Sequence, residues 1–156
     1  MANTQAICTS FKAELMLGAH QLGTVTIVSR TSLTSPTTDS LKAALYVATG
    51  SQGAATTAYS ATNEVSGTGY SAGGIAVTNA TAPTTSGTTG YWTPSASLVF
   101  TGVTLTTAFD TVTIYNSTQS NRAIGVYTFG SQTVTAGNFT LTMPANAAAT
   151  ALIQLS

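Results

Sequence analysis

Phe109-Asp110-Thr111-Val112-Thr113-Ile114-Tyr115 repeats with a period of two, and that period decides the class of fold. In an extended chain Phe109, Thr111, Thr113 and Tyr115 fall on one face and Asp110, Val112 and Ile114 on the other. The β-branched residues here are stiff about χ1 and suit a pleated surface. Working outward, residues 41–48 read as a more buried strand, with Leu45, Tyr46 and Val47 in succession. Residues 74–78 form a short strand, and residues 98–105 another, interrupted at Gly102 by a bulge or kink. Residues 122–129, 132–143 and 149–155 complete the set, and Val25 and Ile27 alternate with threonines near the start. Short strands separated by Gly, Asn and Ser predict a mainly β fold, an antiparallel β-sandwich or jelly-roll-like barrel.

The exception is the N-terminus. Thr9 or Ser10 can cap a helix, and Phe11, Leu15, Leu22 and Ala19 recur at helical spacing, with Lys12 and Glu14 on other faces. Gly18 and Gly23 offer stops. The chain therefore divides into an N-terminal helical arm, residues 1–23, and a single antiparallel β domain, residues 24–156. Helices shorter than about 12–15 residues are marginal alone in water, so the arm is expected to pack on a neighbouring subunit or on the shell of a larger assembly. Long Gly/Thr-rich loops are expected at about 49–74 and 78–90, and connections of that length are functional or ordered by a partner. A chain of 156 residues suits one domain.

Composition narrows the function. Charged residues make up 5% of the chain, against about 25% in ordinary soluble proteins. Lys12, Arg30, Lys42, Arg122, Glu14, Asp39, Glu64 and Asp110 are all of them, and the net charge is zero. Threonine, about a fifth of the residues, keeps the surface wet in their place. Nucleic-acid binding needs a basic stripe that is absent here. Weak colloidal repulsion favours association. No run of about 18 apolar residues marks a membrane span. Residues 1–23 also lack the basic and apolar regions of a signal peptide, so synthesis in a host cytoplasm without export is expected.

The candidate chemistry is thin. His20, the single histidine, would have to serve any hydrolase as base, yet no GxSxG elbow surrounds a serine, and a helix-terminal role explains it better. Cys8 has no CxxC partner and reads as a small buried residue. Asp39, Glu64 and Asp110 are far apart with no pattern joining them, although Asp110 and Arg122 invite a cross-strand ion pair. Gly67-Thr68-Gly69 and Gly73-Gly74 resemble pieces of a phosphate loop but lack the lysine and the helix that follow one. Tyr91-Trp92 beside Pro94 suits a core or interface anchor better than a sugar platform. No catalytic, cofactor-binding or metal-ligating residue is expected.

Three longer stretches carry a resemblance. They are Leu41-Lys42-Ala43-Ala44-Leu45-Tyr46, the run from Thr57 through Asn63-Glu64-Val65-Ser66-Gly67-Thr68-Gly69-Tyr70 to Gly74, and the run from Ile114-Tyr115-Asn116-Ser117 through Asn121-Arg122-Ala123 to Phe129-Gly130. With the opening Met1-Ala2-Asn3-Thr4-Gln5-Ala6 and Thr9-Ser10-Phe11-Lys12, they make the chain resemble a family of small structural proteins encoded by tailed bacteriophages. Thr128 departs from the pattern, which has an acidic residue before the Phe-Gly. The resemblance implies a non-enzymatic virion component, a capsid decoration or cement protein on the exterior of the viral capsid. It implies as partners the major capsid protein and copies of the chain itself, a trimer among the possible homo-oligomers. The alternative is a tail- or fibre-associated β domain binding a host-surface glycan through Tyr91 and Trp92. Interfaces rely on aromatic and apolar anchors, and the candidates are Phe11, Leu15, Leu22, Tyr59, Tyr70, Tyr91 and Trp92.

Overall fold

The computed structural model describes residues 2–16, 20, 22–23 and 38–156. The expected strand around Val25 and Ile27, and Gly18, Ala19 and Arg30, lie outside the described residues. In chain order the elements are β1 (Ala6–Ile7), α1 (Thr9–Met16), β2 (Leu41–Val47), β3 (Ile75–Val77), β4 (Thr84–Ser86), β5 (Thr89–Trp92), β6 (Leu98–Asn116), β7 (Arg122–Leu141) and β8 (Ile153–Leu155). They form two antiparallel sheets, one of five strands in the order β1-β7-β6-β2-β3 and one of three in the order β4-β5-β8. The fold is mainly β with a short N-terminal helix, in a sandwich-like arrangement.

The β6–β7 hairpin dominates. What the sequence divides into two pairs of strands is here two continuous strands of 19 and 20 residues, joined by a turn in which Ser120 and Asn121 both take positive φ. Register shifts interrupt the ladder, one of them beside Gly102, whose φ of 63° fits the expected bulge. Phe129 and Phe139 lie ten residues apart on β7, about 33 Å in a straight strand, yet their ring centroids are 5.4 Å apart. Strand β7 therefore bends back on itself, and both rings pack against Phe109. The folded-over end of the hairpin supplies part of the second layer: Phe100 stacks on Tyr70, whose hydroxyl reaches the backbone of Leu45 in β2.

One core fills the space between the layers. Leu41, Leu45, Val112, Ile114 and Ile124 come from the large sheet, Trp92 and Ile153 from the small one, and Phe11 from α1. The expected alternation around Asp110 is corrected at one point. A bulge between Phe109 and Thr111 reverses the facing, so Phe109 joins Val112 and Ile114 in this core instead of Tyr115. Tyr115 points to the opposite face, with Ala44, Tyr46 and Tyr59.

The N-terminal residues are woven into the β domain. Ala6–Ile7 adds an edge strand to β7, the Cys8 amide donates to the Ile124 carbonyl, and Cys8 and Phe11 are fully buried. The helix starts at Thr9 and packs on β7, which makes Cys8 and not Thr9 or Ser10 the residue at the cap position, and the buried Ser10 hydroxyl caps nothing among the described residues. The long loops also differ from expectation. Residues 49–74 are ordered by this chain itself, through bridges pairing Tyr46 with Glu64, Ala58 with Arg122 and Thr68 with Thr104. The 78–90 stretch contains the β4 strand and the start of β5. The expected Asp110–Arg122 pair is not formed. Arg122 lies opposite Asn116, about 20 Å along β6 from Asp110, and the Asp110 carboxylate accepts instead from Asn3 Nδ2 (2.9 Å) and the Thr111 hydroxyl (2.7 Å).

Candidate functional site

Two regions gather the side chains that could act. The first lies where the 57–74 segment covers the outer face of β2 and β6. Glu64 is its hub: Oε1 accepts from the Tyr70 hydroxyl (2.7 Å) and the Gly73 amide (2.8 Å), and Oε2 from the Tyr59 hydroxyl (2.7 Å). Tyr115 donates to the Gly73 carbonyl (2.8 Å) and stacks on Tyr59 with centroids 4.8 Å apart. Tyr46 donates to the Ser60 carbonyl (2.8 Å). Gly74 takes a φ of 70°, and a Cβ there would overlap the Ala43 carbonyl, so only glycine allows this segment to lie so close to β2.

Burial and then the Glu64 carboxylate push the Tyr59 hydroxyl up to about 12. Burial pushes Tyr46, Tyr70 and Tyr115 above the ordinary tyrosine value as well, with Glu64 acting in the same direction. Four phenols held protonated around one carboxylate make a clamp, and none is poised for proton transfer near neutrality. On β7, burial also raises Tyr127, whose hydroxyl has no hydrogen-bond partner among the described residues.

The second region is a groove of about 380 Å³ between the end of α1 and the three-stranded sheet. Leu15, His20 and Leu22 form one wall; Tyr91, Trp92, Ile153 and Leu155 are on the other. Cross-strand pairing puts Thr85, Gly90, Trp92, Ile153 and Leu155 on one face of the sheet. Gly90 leaves a hollow there, since a Cβ would meet only the Leu155 carbonyl oxygen, at 4.0 Å. His20 packs edge-on against Phe11 (4.9 Å). Asn116 Oδ1 accepts the amides of Thr118 and Gln119, which turns Nδ2 toward His20 Nδ1 (3.0 Å) and Asp39 Oδ2 (2.6 Å). His20 thus belongs to a polar tie between the groove wall and the hairpin turn.

The sequence candidates divide between these regions. Phe11, Leu22 and Trp92 are buried, at 0%, 7% and 1% exposure. Trp92 also donates from Nε1 to the Thr81 carbonyl (2.7 Å), which makes it a core anchor rather than an open stacking platform. Leu15, Leu22, Tyr91 and Trp92 converge on the groove. Tyr59 and Tyr70 commit their hydroxyls to Glu64. Glu64, Gly73 and Gly74, treated separately in the sequence, prove to be one assembly, and Gly90 as the origin of the hollow carried no sequence signal. Among the described residues no group of three or more His, Cys, Asp or Glu could hold a metal, and no helix is long and apolar enough to cross a membrane.

From Val65 to Ser156 only Asp110 and Arg122 are charged. The three-stranded sheet and the bent end of the hairpin therefore present uncharged polar and apolar side chains. No family model, curated protein or solved structure matches this chain.

Proposed function

We propose that this chain is a non-enzymatic virion structural protein of the tailed-phage type, which decorates the capsid by binding the lattice of the major capsid protein. The observation that carries this is the nearly uncharged part of the molecule: residues 65–156 hold two charged side chains and supply the sheet wall of an open apolar groove. Interface centres are depleted in charge and rich in apolar anchors, and a lattice contact repeated many times tolerates a weak individual site. The resemblance of residues 41–46, 57–74 and 114–130 to phage structural proteins supports the same reading, and much of that stretch builds the tyrosine clamp. Glycan stacking is less well supported, because Trp92 is enclosed.

The test is co-sedimentation with capsids of the encoding phage purified without this protein. Saturable binding over the whole shell is expected. It should survive a rise in NaCl that shortens the Debye length from about 10 Å to about 3 Å, because apolar contacts are not screened. Release at high salt, or attachment at one vertex only, overturns the proposal.

A further inference from the structure

Among the described residues, the three-stranded sheet ends in an edge that no strand covers and no charge protects. Strands β4 and β5 are joined through Gly87-Thr88, with Gly87 at a φ of 58° in the first central position, as a type II′ turn requires. In such a hairpin Ser86 and Thr89, which flank the turn, form the hydrogen-bonded pair, and the next pair, Thr85 with Gly90, does not. The N–H and C=O of Thr85 therefore point away from β5. Among the described residues no strand or bridge pairs with that side of β4. Exposed edges are usually protected by charge or proline. Thr84, Thr85 and Ser86 are all exposed and uncharged, and Pro83 guards only the entrance.

The same residues border the groove. Thr85 shares its sheet face with Gly90, so the open edge lies beside the hollow that the missing side chain creates above Trp92. An edge that offers main-chain bonds next to a pocket for one side chain is the arrangement by which sheets capture extended peptides.

Resting on the capsid-binding reading, we infer that β4 and the groove form a strand-addition site. Its ligand is an extended, uncharged segment of the partner protein that pairs antiparallel or parallel with Thr85 and places one bulky apolar side chain over Gly90. Among the described residues the lining of the site carries no formal charge, and this selects the class of ligand, since a charged residue entering the groove would be desolvated against apolar and neutral groups.

Trp92 is the sole tryptophan and lines the groove, so its emission reports occupancy without a label. The probe is an acetylated and amidated Thr-Val-Thr-Phe-Thr-Val-Thr peptide, titrated to about 1 mM, the effective concentration a multivalent lattice readily supplies. A saturable change in Trp92 emission is expected. It should weaken at least about tenfold in Thr85→Pro, which removes the outward N–H without touching the β4–β5 ladder, and in Gly90→Leu, which fills the hollow. Circular dichroism matching the parent establishes that both variants are folded, and Tyr59→Phe, on the opposite layer, should bind normally.

No change in emission, or equal binding by all variants, overturns the inference. So does a concentration-dependent dimer of the chain alone that Thr85→Pro abolishes, since the occupant would then be a second copy. Capsid binding that persists in both variants overturns this site while leaving the capsid role intact. Peptide binding without capsid binding overturns the capsid role and leaves the site.

Discussion

The two faces of the molecule solve opposite problems with the same kinds of residue. Around Glu64, Tyr46, Tyr59 and Tyr115 lie on the outer face of β2 and β6 while Tyr70 reaches Glu64 from the main core, their hydroxyls are committed to internal partners, and glycines let the covering segment close tightly. On the three-stranded sheet, Trp92, Ile153 and Leu155 share the face of an open groove, and a glycine leaves the hollow unfilled. One region is finished within the chain, and the other is left incomplete. The first region serves stability and the second is the one proposed for binding, and substitutions that are alike in chemistry should behave differently in the two.

The largest effect is expected at Gly74. A left-handed backbone costs a side chain about 1–3 kcal/mol, and the overlap with the Ala43 carbonyl forces a shift worth about another 1–3 kcal/mol. Gly74→Ala should lower unfolding free energy by about 4 kcal/mol in denaturant melts. A loss below about 1 kcal/mol would mean that the 57–74 segment lies less tightly on β2 than described.

Next comes Glu64. Truncation to alanine strands two tyrosine hydroxyls and the Gly73 amide, each partly enclosed. A loss of about 2–3 kcal/mol is expected for Glu64→Ala. Glu64→Gln should lose about 1 kcal/mol, because one oxygen still accepts from Tyr70 and Gly73. Equal losses for the two would mean that the charge matters more than the geometry of acceptance.

Alkali should also separate the faces. The fold favours the protonated phenols, since their values are raised above the ordinary 10.0, with Tyr59 at about 12. Their contribution is therefore complete below about pH 10 and is lost as pH rises through about 12. Denaturant midpoints should hold to about pH 10 and fall above it, in step with tyrosinate absorbance. Tyr59→Phe should flatten the decline. A midpoint that falls between pH 8 and 9 would contradict the clamp.

Much of the fold was legible in the sequence because it depends on local periodicity. The alternation from Thr111 to Tyr115, the break at Gly102 and the short helix near Thr9 all correspond to observed features. The failures have physical causes. Phe109 changed faces because one bulge reverses every side chain beyond it, and a register shift leaves no mark on composition. The β4–β5 hairpin was hidden because Thr, Ser and Gly serve equally in strands and turns. Glu64 looked solitary because its tyrosines reach it through an irregular segment, at spacings of five and six residues that match neither helix nor strand. Leu15, Leu22, Tyr91 and Trp92 were each nameable as anchors, but their meeting in one groove is a product of topology.

The smallest effect is the sharpest test of the contrast. Gly90 does not take positive φ, and a Cβ there would enter open space, 4.0 Å from its nearest neighbour. Gly90→Ala should therefore change stability by less than about 1 kcal/mol, and in the stabilising direction, since alanine restricts the unfolded chain more than glycine does. The same substitution at Gly74 is expected to be among the most damaging in the protein. If both alanine variants lost several kcal/mol, the groove would be as closely packed as the clamp and would have no room for a ligand. If Gly90→Ala left stability unchanged and weakened capsid retention, the glycine would be serving the partner's side chain and not the fold. Thermal melts and co-sedimentation on one preparation read the two quantities separately, and the division between a completed face and an open one stands on their disagreement.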